Sequence, residues 1–155
     1  PGLLMKGYFR NPEATAAALK DGWLHTGDLG RLDKDGYLTF SGRLKDSIRR
    51  RGENVSAWEV EHVVVGHPGV EECAVVGVEA EVGEQDIKLF VKPAQGQAPA
   101  PGDIIQWCEK DLARFQLPRY VAFIEEFPKT ATHRIRKDGL SRAIDDCWDR
   151  EAESG

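Results

Sequence analysis

No excess of basic residues marks this chain. Lys and Arg number 21 against 26 Asp and Glu, a formal charge of −5 over 155 residues, so no global positive field is present to gather nucleic acid. Cysteine is scarce: Cys73, Cys108 and Cys147 are odd in number and form no paired spacing with one another or with His25, His62, His67 and His133. That pattern argues against a zinc site or a disulfide framework and for free thiols in a reducing compartment. There is no apolar run as long as a membrane-spanning helix needs, no internal repeat, and no signal-like segment after Pro1. The expectation is a piece of a cytoplasmic protein. The length suits one domain, or one domain plus part of another, and 41% hydrophobic residues suffice for a modest core.

What is present is a mixture of helix and strand signals. Asn11-Pro12-Glu13 before an alanine-rich run predicts a short helix with Asn11 as cap and Pro12 as its first residue. Asp33-Lys34-Asp35-Gly36 predicts a turn between strands at Asp28–Leu32 and Tyr37–Ser41. Ser56-Ala57-Trp58-Glu59 is a capping box and starts a helix that runs to about Gly66, where Pro68-Gly69 stops it. Val70–Val78 and Ile87–Lys92 read as strands, Pro93–Gly102 as an exposed loop, and Asp103 as the cap of a helix through Ala113. Tyr120–Glu125 reads as a further strand. Lys137 or Asp138 to about Arg150 reads as a closing amphipathic helix, with the last residues frayed. The units are too irregular for a doubly wound sheet.

Two clusters carry chemistry. In Gly22-Trp23-Leu24-His25-Thr26-Gly27-Asp28-Leu29-Gly30, a carboxylate at a strand edge can accept two hydrogen bonds from a ribose diol, and glycine lets the backbone approach closely. Alone, Gly-Asp is commonly just a turn. In Gly42-Arg43-Leu44-Lys45-Asp46-Ser47-Ile48, followed by Gly52-Glu53-Asn54-Val55, the planar guanidinium of Arg43 can bridge ribose oxygens and phosphate. The bland alternative for Arg43 is a surface arginine ending a strand. For Arg49-Arg50-Arg51 it is a solvated strand or loop; for Phe115, core packing; for Glu59 and Glu61, capping and structure.

Together the clusters resemble the carboxyl-terminal signature of the AMP-forming acyl-CoA synthetases, a superfamily that includes peptide-synthetase adenylation domains and beetle luciferases. The likeness extends from Gly7-Tyr8 to about Leu140. Pro118-Arg119-Tyr120-Val121 and Glu126-Phe127-Pro128-Lys129-Thr130 are most similar to the branch near the crotonobetaine/carnitine–CoA ligases. The resemblance implies an α+β fold: a small mobile domain (residues 45–150) with a central, mostly antiparallel sheet flanked by helices. Before it would stand a β-rich remnant of the large adenylate-forming domain (1–44), and after it a disordered tail (151–155).

The resemblance also implies roles. Asp28 and Arg43 would hold the ribose of ATP and of an acyl-adenylate. Lys45 would be the hinge about which the small domain rotates between half-reactions. The Gly52-Glu53 loop would line the pantetheine tunnel, with Arg49 to Arg51 drawing the phosphates of CoA, and Phe115 would lie near its adenine. One segment departs from the pattern. In Pro128-Lys129-Thr130-Ala131-Thr132-His133-Arg134-Ile135, His133 stands where relatives have glycine, and Arg134 where they have the catalytic lysine. Arg134 keeps the charge with a different geometry and is expected to take over the role at reduced rate, with Lys129 and Lys137 as alternatives. The intact protein would use ATP, Mg2+ (bound mainly by the missing domain) and CoA to convert a carboxylic acid to its CoA thioester, and the 155 residues alone would be inactive. A non-catalytic nucleotide-binding relic, or an adenylation domain loading a carrier protein, are the competing readings.

Overall fold

The computed structural model describes residues 4–80 and 83–152. The chain divides into two units, Pro1–Lys45 and Asp46–Gly155. Among the described residues no helix is long and apolar enough to cross a membrane.

In the first unit, Pro12–Ala18 forms helix α1, capped by Asn11, whose Oδ1 accepts from the Ala14 N–H at 2.9 Å. Leu19–Lys20 (β1) and Trp23–Leu24 (β2) pair as a minimal ribbon. Asp28–Leu32 (β3) and Leu38–Arg43 (β4) form a second, antiparallel one. Their turn forms at the expected place: Asp33 Oδ1 accepts from the N–H groups of Asp35 and Tyr37, both at 2.9 Å, and Gly36 takes φ +86°. Strand β4 starts one residue later than Tyr37 and runs two beyond Ser41, because its pairing continues until Arg43 faces Asp28.

The second unit holds the core. Ser47–Arg50 (β5) and Glu53–Ser56 (β6) make a hairpin around Arg51-Gly52. Ala57–Val64 (α2) begins at Ser56, whose Oγ accepts from the Glu59 N–H at 3.4 Å. Val70–Glu79 (β7) and Gln85–Pro93 (β8) pair antiparallel over their whole length. Tyr120–Phe123 (β9) adds parallel to β8, and Trp148–Asp149 (β10) closes the sheet antiparallel to β9. The sheet is therefore mostly antiparallel, in the order β10-β9-β8-β7.

Strand alternation divides the core into two faces. Val75, Ile87, Leu89 and Val91 join Val60 and Val64 of α2 and Ile104 and Cys108 of Pro101–Cys108 (α3) on the helical face. On the other face Val76, Val78, Phe90 and Ala122 are covered by Phe127 and Leu140. Among the described residues no helix covers this second face. The closing helix expected from Lys137 to Arg150 does not form. Lys137–Gly139 is a single 3₁₀ turn, and the backbone then runs extended over the sheet to β10. Its backbone is held by the sheet instead of by helical bonds: buried Lys88 donates to the Ala143 carbonyl at 2.5 Å, and Leu140 is spent on the core. Gly139 lets the chain pass close to Pro128, since a Cβ there would lie 3.3 Å from its ring.

Helix α3 also differs from expectation. Ala100 precedes it and Pro101 opens it, two residues before Asp103, because proline's fixed φ suits the first helical turn without a side-chain cap. It ends at Cys108 rather than Ala113. Residues 153–155 of the expected tail lie outside the described residues, whereas Glu151 is ion-paired to Arg119 at 3.3 Å.

Candidate functional site

In the first unit the β3–β4 register sets Asp28 opposite Arg43, and the Arg43 Nε lies 2.9 Å from Asp28 Oδ1. Thr26 Oγ1 accepts from the Asp28 N–H at 3.1 Å. Gly27 takes φ +74°, and its carbonyl accepts from the Leu44 N–H at 2.9 Å. Both charged side chains are partly exposed (46% and 35%), so a carboxylate oxygen and the guanidinium's outer nitrogens remain open to a ligand. Lys45 lies in the exposed 3₁₀ turn Leu44–Asp46, at the last position of the first unit.

Arg134 lies on a hairpin tip in the second unit. Lys129 bridges Ile135, the Thr130 N–H donates to the Arg134 carbonyl at 2.8 Å, and the Arg134 N–H returns to Thr130 Oγ1 at 3.1 Å. The turn requires His133 at φ +59°. Arg134 is exposed and has no ion pair among the described residues. The two alternative lysines are both engaged. Lys129 Nζ lies 2.8 Å from Glu72, and Lys137 Nζ lies 2.7 Å from Glu61 and 3.9 Å from Asp46. Glu61 also accepts from the Val75 N–H at 2.6 Å. Burial still pushes its carboxyl above the ordinary carboxylate range, against the pull of Lys137.

The arginine run is not uniformly solvated. Arg50 is 2% exposed, because β5 alternation places it on the same side as Ile48. Its guanidinium donates to the Leu117 carbonyl at 2.6 Å and the Phe115 carbonyl at 3.4 Å, and pairs with Asp86 at 3.1 Å. Desolvation pulls it below the ordinary arginine value, with Asp86 opposing. Arg119 takes the other Asp86 oxygen at 2.8 Å and also binds Asp149. Hydrogen bonding, to Asp149 first and then Asp86, holds the Arg119 guanidinium charged. This network fixes the 3₁₀ turn Arg114–Gln116, whose Phe115 is half-buried against the helical-face core.

Arg51 and Gly52 sit at the hairpin tip with φ +50° and +80°, with Glu53 exposed beside them. Arg51 lines a cleft of about 1030 Å³ with Arg114, Arg150, Gln106 and Trp148. Burial first, then the neighbouring Arg114 and Arg51, pushes the Arg150 guanidinium below its ordinary value; Glu151 opposes this. Glu109 and Glu151 line the same cleft, and Arg51 lies 3.5 Å from Glu151, so the three arginines exceed the acids by one. Among the described residues no group of three His, Cys, Asp or Glu could hold a metal. Sequence reasoning missed the Arg50–Asp86–Arg119 network and the Lys137–Glu61 pair. The period-2 signal after Ile48 could have found Arg50; nothing in the sequence pairs Lys137 with Glu61.

Residues 59–134 match the family described as "AMP-binding enzyme C-terminal domain". The chain is 38% identical to the crotonobetaine/carnitine–CoA ligase of Salmonella arizonae over 138 residues, covering 88% of the chain and 27% of that protein. It is 41% identical to the 2-succinylbenzoate–CoA ligase of Geobacillus kaustophilus over 139 residues, covering 90% and 28%. The structure superimposes on the o-succinylbenzoate CoA synthetase of Bacillus subtilis, solved with its acyl-adenylate intermediate, with a TM-score of 0.83 at 31% identity, again over 90% of this chain and 28% of that one. The chain thus spans just over a quarter of the length of the curated relatives it matches. Residues 59–134 thus belong to the AMP-binding enzyme C-terminal domain family, and the chain as a whole is similar to the C-terminal part of CoA ligases.

Proposed function

We propose that this chain is the carboxyl-terminal part of an ATP-dependent, AMP-forming acyl-CoA ligase of the cytoplasm, with residues 1–44 completing a large amino-terminal domain and 45–150 forming the mobile one. In the first half-reaction the substrate carboxylate attacks the α-phosphorus of ATP, pyrophosphate leaves, and an acyl-adenylate forms. In the second, the CoA thiol attacks the acyl carbon and AMP leaves. Mg2+ would accompany ATP on the missing domain.

The observation that carries this reading is the state of the three cations near the hairpin tip. Lys129 and Lys137 are neutralised by Glu72 and by Glu61 with Asp46, whereas Arg134 stands exposed and without an ion pair among the described residues. A guanidinium so placed can meet the substrate carboxylate and the charge that grows on the α-phosphate. Asp28 and Arg43, already side by side, would take the ribose hydroxyls. In this reading Arg51, Arg114 and Arg150, which outnumber Glu109 and Glu151 in their cleft, would meet the CoA phosphates. Lys45, at the boundary of the two units, is the hinge in this reading.

The test is pyrophosphate exchange by the complete enzyme. Arg134→Ala should lower it by about 10²–10³-fold, the usual effect of deleting one group that stabilises developing charge, while Arg134→Lys should retain most of it. Unchanged exchange in Arg134→Ala would remove Arg134 from the reaction. The 155 residues alone should form no acyl-CoA, and detectable turnover would refute that part.

A further inference from the structure

The tip of the β5–β6 hairpin is a two-residue turn in which Arg51 and Gly52 both have left-handed φ. Such a turn points its two central N–H groups outward, where the ladder offers them no acceptor. Here one carboxylate takes both. Glu84 Oε2 accepts from the Arg51 N–H at 2.7 Å, and Glu84 Oε1 accepts from the Gly52 N–H at 2.8 Å. The next residue continues the clamp: Gln85 Oε1 accepts from the Arg49 N–H at 3.2 Å. Three backbone donors of one hairpin are thus tied to two side chains at the start of β8, more than thirty residues away in sequence.

A charged acceptor on two parallel backbone donors is a strong and directional restraint. It fixes the plane of the Gly52 peptide, while the position where a Cβ would stand on Gly52 meets no atom within 4 Å. The turn is therefore held from one side and bare on the other. Packing gives no reason for that bareness within the unit.

We propose that Glu84 is the positioning residue of the Gly52 turn and that it acts on acyl transfer to the thiol, not on adenylation. This rests on the ligase reading above. A long, narrow thiol-bearing arm passing the bare face of Gly52 needs the peptide wall fixed to a fraction of an ångström, and displacement of about 1 Å can cost two orders of magnitude in rate. Arg134 and its hairpin are held by other bonds, to Thr130 and through Lys129 to Ile135, so loss of Glu84 leaves them intact.

Two measurements test this. In the 155-residue chain, amide hydrogen exchange should be slow at Arg51 and Gly52 and fast at both in Glu84→Ala, with the β8 amides unchanged as the control for folding. Glu84→Gln, with one oxygen in place of two, should free one of the two amides. In the full-length enzyme, Glu84→Ala should slow acyl transfer from preformed acyl-adenylate to CoA by about ten- to a hundredfold and leave pyrophosphate exchange within about twofold. Equal loss in both half-reactions, or no loss in either, overturns the role, and unaltered exchange at Gly52 overturns the anchor. If the wild-type full-length enzyme transferred no acyl group to CoA, the ligase reading would fail, while the amide experiment would still decide the anchor.

Discussion

His133 holds a left-handed φ of +59° at a tip whose hydrogen bonds to Thr130 leave it no other conformation. A side chain there costs about 1–2 kcal/mol relative to glycine, partly offset by glycine's extra freedom in the unfolded chain. His133→Gly should therefore raise the unfolding free energy measured in urea modestly, by about 0.5–1 kcal/mol; a drop would mean that the imidazole makes a stabilising contact. Arg50 is the more demanding position. It is buried and serves two carbonyls and Asp86 at once, which a lysine's single ammonium cannot reproduce. Arg50→Met should cost about 3 kcal/mol in denaturant unfolding, the low end for breaking a buried pair, because Arg119 stays on Asp86. Arg50→Lys should recover only part of it. Full recovery would show that charge, not the planar fork, is what the site uses.

Elements with a local signature were legible in the sequence. Asn11 and Ser56 cap the helices they were expected to cap, and Gly36 turns between β3 and β4. β7 and β8 are β-branched runs, and both form as strands. The segment after Lys137 was not legible, because its apolar spacing suits a helix while its partners, Lys88 and the second core face, are set by tertiary contacts. Asp28, Arg43 and Arg134 stood out as residue types; the Asp28–Arg43 pairing and the pairings that leave Arg134 exposed did not, since Glu61 and Glu72 are remote in sequence. Lys137 shows how much such a pairing matters. Without it, Glu61 would be a buried carboxylate with only the Val75 N–H as support. Its folded pKa is already raised by burial, and Lys137→Ala should raise it further. A folded pKa above the unfolded value of about 4.3 brings no penalty below that value, and a growing one as pH rises through the window up to the folded pKa. The variant should thus match wild type near pH 4 and lose about 1–3 kcal/mol at pH 7. An equal deficit at both pH values in thermal melts would point to lost packing instead.

At the scale of the whole molecule, the two units differ in what holds them. Asp46–Gly155 has a two-faced core with Val60, Leu89, Val91 and Ile104 fully buried. In Pro1–Lys45 the only buried residue among those described is Gly42, while Phe9, Trp23 and Leu38 are 87%, 76% and 75% exposed. A two-stranded ribbon without a covered face is marginal in water, and large apolar side chains this exposed are candidates for burial against a partner. The relatives are more than three times as long, and in the reading proposed above an amino-terminal body would cover these side chains. Hydrogen exchange on the 155-residue chain should therefore find β7 and β8 amides protected to the level of global unfolding and β3 and β4 amides nearly unprotected. Addition of the body in the full-length protein should slow β3 and β4 by orders of magnitude and leave β7 and β8 unchanged. Equal protection of both units in the short chain would mean that the first unit stabilises itself, and its exposed aromatics would then need no amino-terminal body to account for them.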